Sequence, residues 1–186
     1  MVLFKLNDIK RYFYFLLMAE FYGDREIDKE ILDIKKLKLS YPEFKNALKQ
    51  VSDKIKQDKY VPDVILSIAR GGLIVGTQLS YNLGIKTIGS INMEFYSGIN
   101  KRLEKPIIVP PKIDLEQFRD KNVLIADDVL DTGSTMIELI NLILPIVKSY
   151  KTMVIFKKTQ SIINANYMWK EISTDVWIDF PWENDV

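Results

Sequence analysis

Three aspartates, Asp127, Asp128 and Asp131, stand directly ahead of Thr132, Gly133, Ser134 and Thr135. Carboxylates of this kind take sugar hydroxyls or a divalent cation. A Thr-Gly-Ser-Thr turn that opens a helix offers backbone N–H groups and little steric bulk, which suits a phosphate. Together these residues have the chemistry of a sugar-phosphate site. A second candidate is Ala69-Arg70-Gly71-Gly72, where paired glycines permit unusual backbone shapes and Arg70 adds a fixed cation suited to phosphate. Gly71 and Gly76 have the spacing of a P-loop. Thr77 and Gln78 follow where a lysine and a hydroxyl residue are needed, so that reading fails. A third candidate is the run Asp175 to Glu183, with Trp177, Phe180 and Trp182. These rings either close a core edge or form a flat apolar wall for a planar base, with a carboxylate nearby. Lys157 and Lys158 read as solvated charges unless one points into the cleft, where an ammonium bonds a carbonyl oxygen.

The remaining composition narrows the chemistry. The 186 residues contain no histidine and no cysteine. That removes Ser-His triads, imidazole bases, thiol nucleophiles and His- or Cys-ligated metals, leaving carboxylates, Lys, Arg, hydroxyls and oxygen-held metal. A net charge of +1 argues against a nucleic-acid binder with a broad basic surface. The apolar stretch Tyr12 to Ala19 is too short to span a bilayer and runs into Glu20, Asp24 and Arg25, so a buried or interface helix in a soluble, cytoplasmic protein is expected.

The elements that must position these groups follow from periodicity. Residues 1 to 40 have helix-like spacing, with Asp28 as a cap for a short helix that includes Glu30 and Lys36. Ser40 caps a helix over roughly Glu43 to Gln57, with Phe44, Leu48, Val51 and Ile55 facing inward. From Asp63 onward strands and helices alternate. Val64 to Ile68 reads as a strand, Leu73 to Leu83 as a helix and Lys86 to Ile91 as a strand. Glu94 to Pro106 is polar and reads as a mobile loop, and Ile107 to Val109 as a short strand before Pro110-Pro111. The apolar run at Val123 is a strand buried on both faces; Met136 to Val147 is a helix and Thr152 to Phe156 another strand. Such alternation implies βαβ units, a mainly parallel sheet flanked by helices, and a ligand site at the strands' carboxyl ends.

Read together, V-L-I-A-D-D-V-L-D-T-G-S-T-M (residues 123–136), Ser67 to Leu73 and Trp177 to Glu183 resemble the type I phosphoribosyltransferases. The resemblance covers roughly residues 41 to 183 and is to the 6-oxopurine (xanthine-guanine and hypoxanthine) members of archaeal type. It implies transfer of 5-phosphoribose from phosphoribosyl pyrophosphate (PRPP) to N9 of a purine, giving a nucleotide and pyrophosphate, with Mg2+ as cofactor. By position, Asp127 and Asp128 would hold the ribose hydroxyls, directly or through the metal. Asp131 would lie near purine N7 as the general base. Asp131, Thr132, Gly133, Ser134 and Thr135 would cradle the 5-phosphate. Arg70 and Gly71 would take pyrophosphate, with a cis peptide ahead of the arginine, and Glu94 to Pro106 would close as a lid. Lys158, or Lys157 on a one-residue shift, would meet the 6-oxo oxygen. Trp177 and Ile178 would sandwich the ring, and Glu183, where relatives commonly carry Asp, would serve metal or base. The implied architecture is residues 1–40 as an N-terminal helical extension and 41–186 as the catalytic domain, with a small C-terminal hood at about 157–186. A homodimer or homotetramer acting on small molecules, with neither nucleic acid nor membrane as partner, is expected. An adenine-specific enzyme and a non-catalytic sensor of PRPP or nucleotide are the alternatives on the same residues.

Overall fold

The computed structural model describes residues 35–96, 102–108 and 113–183, which lie in a unit that begins at Lys35. The expectations for Tyr12 to Ala19, for the helix capped by Asp28 up to residue 34, and for Pro110-Pro111 lie outside the described residues.

The first helix, α1 (Tyr41–Gln57), starts as its sequence predicts. The Ser40 hydroxyl accepts from the Glu43 N–H while Glu43 reaches back to the Ser40 N–H, and Pro42 sits in the first turn. This reciprocal cap satisfies donors that a helix start otherwise leaves open. Phe44, Leu48, Val51 and Ile55 are all buried. The strand β2 (Val64–Ala69) leads into α2 (Gly71–Leu83), which ends at Gly84. The strands β3 (Ile88–Tyr96) and β4 (Arg102–Ile108) follow. After a short 3-10 turn at Leu115–Phe118 come β5 (Asn122–Leu130), α3 (Ser134–Ile143), β6 (Ser149–Lys158) and β7 (Tyr167–Ile172).

Six of these strands form one sheet in the order β4-β3-β2-β5-β6-β7, parallel except for the antiparallel β3–β4 pair. Successive residues of the central strands serve opposite cores, as the strand period of two requires. Ile65, Leu124 and Ala126 pack with α1 and α2 through Leu48, Val51, Val75 and Leu79. Leu66, Val123 and Ile125 pack with α3 through Met136, Leu139 and Ile143. The helices that follow β2 and β5 therefore lie on opposite faces. Adjacent strands whose chains depart to opposite faces leave a crevice at their carboxyl ends, where ligands of open α/β sheets bind.

Three expectations are corrected. Lys36 lies in a strand, β1 (Lys35–Lys38), which pairs in parallel with β8 (Val176–Asp179) as a separate two-stranded sheet. Its single inward position, Leu37, packs on the α1 core, and that contact favours a strand over a helix. Glu94 to Pro106 is not a loop throughout: β3 and β4 form a hairpin with Glu94 opposite Ile107 and Tyr96 opposite Arg102. A strand at the sheet edge needs no apolar alternation, and Pro106 is tolerated there because an edge strand has N–H positions outside the ladder. Residues 167–172, expected in the hood, extend the main sheet as β7 instead.

Candidate active site

The acidic segment is delivered by β5. Val123 to Ala126 are fully buried, and the strand then presents Asp127 and Asp128 half-buried at the crevice. Each carboxylate accepts the next backbone N–H: Asp128 N–H to Asp127 Oδ1 at 2.9 Å, and Val129 N–H to Asp128 Oδ1 at 2.8 Å. Burial pushes the Asp127 carboxyl well above the ordinary carboxylate range, and the neighbouring Asp128 charge adds to this. Asp128 is also raised, chiefly by burial and further by the Glu183 charge, against the lowering effect of its backbone hydrogen bonds. A pair of acids held in this state gains from any ligand that brings hydroxyl donors or positive charge.

The β2–α2 turn closes on the same acids. The Ala69–Arg70 peptide is cis, as the resemblance implies. Gly71 approaches so closely that a Cβ there would lie 1.7 Å from Asp128 Oδ2, and one at Gly72 would lie 2.6 Å from the Ala126 carbonyl. The two turns thus form one continuous surface, with the exposed Arg70 at its border.

Beyond the acid pair, Asp131 and Thr132 are exposed and Gly133 opens α3 with φ 91, a left-handed conformation that favours glycine. Thr132 Oγ1 lies 3.0 Å from Ser134 Oγ and accepts from the Ser134 N–H at 3.3 Å. The remaining N–H groups of this first turn, from Thr135 and Met136, have no intrahelical acceptor and suit an anion.

The two lysines part company. Lys157 is buried and donates to Glu171 at 2.6 Å. Lys158 turns toward the site: its Nζ lies 3.9 Å from Asp131 Oδ1 and 3.5 Å from the Thr174 carbonyl it donates to. The C-terminal aromatics also divide. Phe180 stacks on Trp182 with centroids 4.6 Å apart, and Trp182 meets Phe44 edge-on at 4.9 Å, so these two rings close the core. Trp177 remains 42 % exposed while Ile178 is buried in the core cluster. Neighbours on a strand point to opposite faces. The structure therefore does not bring the Ile178 side chain to the Trp177 face, and any base contact of Ile178 must come from its backbone.

Glu183 closes its own turn, its Oε2 accepting from the Phe180 N–H at 3.2 Å. Among the described residues no three carboxylates converge as a metal cage, although the Glu183 charge is felt at Asp128. The Asp127–Asp128 pair still fits magnesium, which is commonly held by one or two carboxylates while substrate oxygens and water complete its shell. Gln160, which carries no signal in the sequence, donates from Nε2 to Asp131 Oδ1.

The comparisons with known proteins agree with this arrangement. A family profile described as "Phosphoribosyl transferase domain" matches residues 32–186. Xanthine-guanine phosphoribosyltransferase of Cereibacter sphaeroides is 31% identical over 121 residues, covering 64% of this chain and 68% of the relative. The same-named protein of Gluconobacter oxydans is 30% identical over 122 residues, covering 64% and 67%. Among solved structures, a purine phosphoribosyltransferase from Pyrococcus horikoshii is similar with a TM-score of 0.68 and 33% identity, covering 81% of this chain and 95% of that one. The family profile spans both turns of the crevice and the sheet that carries them, and the chain belongs to the phosphoribosyltransferase family.

Proposed function

We propose that this chain is a purine-salvage enzyme that transfers 5-phosphoribose from PRPP to N9 of a 6-oxopurine and releases pyrophosphate. The observation that carries the oxopurine reading is the placement of Lys158 beside Asp131, 3.9 Å apart at one mouth of the crevice. O6 and N7 lie side by side on one edge of an oxopurine. A donor-only ammonium suits O6, and a carboxylate suits a proton on N7. Adenine would place its amino group against the ammonium, donor against donor. The curated relatives named as xanthine-guanine phosphoribosyltransferases support the same reading.

In the reaction the Asp127–Asp128 pair holds the ribose hydroxyls. The first turn of α3, with Thr132, Ser134 and Thr135, holds the 5-phosphate, and Arg70 with the Gly71 backbone holds the pyrophosphate. As the C1′–O bond to pyrophosphate breaks, N9 forms its bond to C1′, and the N7 proton passes to Asp131. Positive charge gathers on the ribose during this step, so fixed carboxylates stabilise it without a nucleophile. The Asp127–Asp128 pair would hold magnesium, which when bound would supply Lewis-acid charge to the departing pyrophosphate. Trp177 offers an aromatic face to the base, and in this reading the segment 94–106 is the lid over PRPP.

A homodimer or homotetramer in the cytoplasm fits this reading. The exposed side of α2 carries Leu73, Ile74 and Tyr81, an apolar stripe suited to a second copy, and no helix among the described residues is long and apolar enough to cross a membrane. The deciding experiment is magnesium-dependent pyrophosphate release from PRPP with guanine, xanthine, hypoxanthine and adenine supplied separately. Release with one or more oxopurines is expected. Release with adenine alone would move the assignment to an adenine enzyme, and release with none would leave a non-catalytic sensor.

A further inference from the structure

The turn that follows β6 meets the phosphate turn at three places. The Gln160 amide donates to Asp131 Oδ1 at 2.5 Å, and the Ile162 N–H donates to the Thr132 carbonyl at 3.1 Å. Ile163 and Ser161 pack on Gly133, where a Cβ would come within 2.9 Å and 3.1 Å of their side-chain atoms. The last two contacts hold the turns together whatever residue stands at 160. The first falls on the carboxylate assigned as the base.

That carboxylate has a second neighbour. Lys158 Nζ lies 3.9 Å from the same Oδ1, inside ion-pair range but beyond a hydrogen bond. The lysine side chain is only 14 % exposed and the aspartate side chain 56 %, so water reaches the pair chiefly from the Asp131 side. An ammonium and a carboxylate so placed gain by closing to a charge-assisted hydrogen bond. Closure would spoil both assigned roles at once, because the lysine would spend a donor on Asp131 and the aspartate would have its oxygen tied to the ammonium instead of facing the base. Here a neutral amide occupies Oδ1, and the Thr174 carbonyl accepts from Lys158 on its other side.

We propose that Gln160 is a positioning residue that keeps Asp131 and Lys158 apart, leaving one to take a proton and the other to read a carbonyl. The proposal rests on the roles given to those two residues above. Gln160 bonds Oδ1 without charge, so it fixes the carboxylate while leaving Oδ2 to face the base. The same bond makes a direct Lys158–Asp131 contact unnecessary for satisfying Oδ1.

The test is Gln160→Met, which keeps the length of the side chain and removes its donor, with Gln160→Ala as a second variant. The oxopurine KM is expected to rise and kcat to fall, each by about tenfold, with the PRPP KM unchanged. In a Lys158→Met background, where no ion pair can close, Gln160→Met should add little. An equal rise in the PRPP KM, or an undiminished effect in that background, would show a merely structural role and overturn the proposal. Crystal structures of the wild type and Gln160→Met read the spacing without any activity. Lys158 closing to hydrogen-bond distance of Asp131 in the variant supports the proposal, and an unchanged separation overturns it. A wild type that transfers to no purine would sink the functional reading alone, while the two structures still decide the spacing.

Discussion

Gly71 and Asp128 touch: a Cβ on the first would lie 1.7 Å from Oδ2 of the second. The turn assigned to the leaving pyrophosphate and the acids assigned to the ribose can share one crevice only because residue 71 carries no side chain. A β carbon would have to displace a carboxylate that is already tied to the Val129 N–H.

Gly71→Ala should therefore be an activity variant more than a stability variant. The Asp128 carboxylate has crevice on one side and can rotate away, so the fold survives while the ribose contact shifts by about an ångström. A displacement of that size costs on the order of a hundredfold in kcat/KM. Steady-state kinetics beside a urea denaturation curve would check this. Unaltered kinetics would mean that Asp128 does not touch substrate.

The acid pair gives a pH prediction whose sign is opposite to that of a salt-bridged aspartate. Both folded-state values are raised above the ordinary 3.8 by burial, with like charge adding to it. Between 3.8 and the folded values, the folded chain holds more protons than the unfolded one, so stability falls as pH rises through that window. Asp127→Asn cannot ionise, so it should become more stable than the wild type at neutral pH, and the gap should close as the acid range is entered. Urea midpoints across pH for both proteins would show it. If the pair holds ribose and magnesium as proposed, PRPP with magnesium should stabilise the wild type increasingly as pH rises, because the proposed binding form is the ionised one.

The two lysines should separate selection from stability. Lys158→Ala is expected to raise the KM for oxopurines by about tenfold to a hundredfold and to narrow the gap to adenine. Lys157→Ala removes a buried stem and leaves Glu171 without its partner. Stability should fall by about 2 kcal/mol with base selection intact. Exchanged outcomes would place the wrong lysine in the crevice.

Ser67 offers a test away from the chemistry. It is fully buried on β2, its hydroxyl has no hydrogen-bond partner, and Gly76 of α2 leaves only enough room for it: a Cβ there would sit 2.0 Å from Oγ. A buried hydroxyl without a partner keeps its desolvation cost. Ser67→Ala should therefore raise stability by about 1 kcal/mol with an unchanged m value and unchanged kinetics.

What could be read in advance depended on how local the signal was. The Ser40–Glu43 cap, the apolar run at Val123 and the helix after Gly71 are each specified by residues a few positions apart, and all appear close to where the pattern puts them. The acid pair and the glycine turn were legible for the same reason, since each sits at the end of such a run. Pairings between distant segments were not. The stretch Lys35–Lys38 has one apolar residue, and nothing in it points to Val176. The charged residues after Glu94 suggested a loop because an edge strand needs no apolar alternation to mark it in the sequence. Trp177 and Ile178 were expected to sandwich a ring, and alternation on β8 sends their side chains to opposite faces. The Gln160–Asp131 bond depends on a turn folding back across the phosphate loop, and a lone glutamine does not announce that.

The β1–β8 pair gives the crevice a dependence on chain order. Trp177 stands on a strand whose hydrogen-bonding neighbour is Lys36, roughly 140 residues earlier in the chain, and no other strand flanks β8 among the described residues. Closing so long a loop is entropically slow and comes late in folding. The six-stranded sheet with its two crevice turns can assemble before the aromatic face is fixed. Trimming the chain to residue 40 as if the preceding residues were dispensable would therefore act as a specificity mutation. Sugar-phosphate binding would persist, and the grip on the base would loosen.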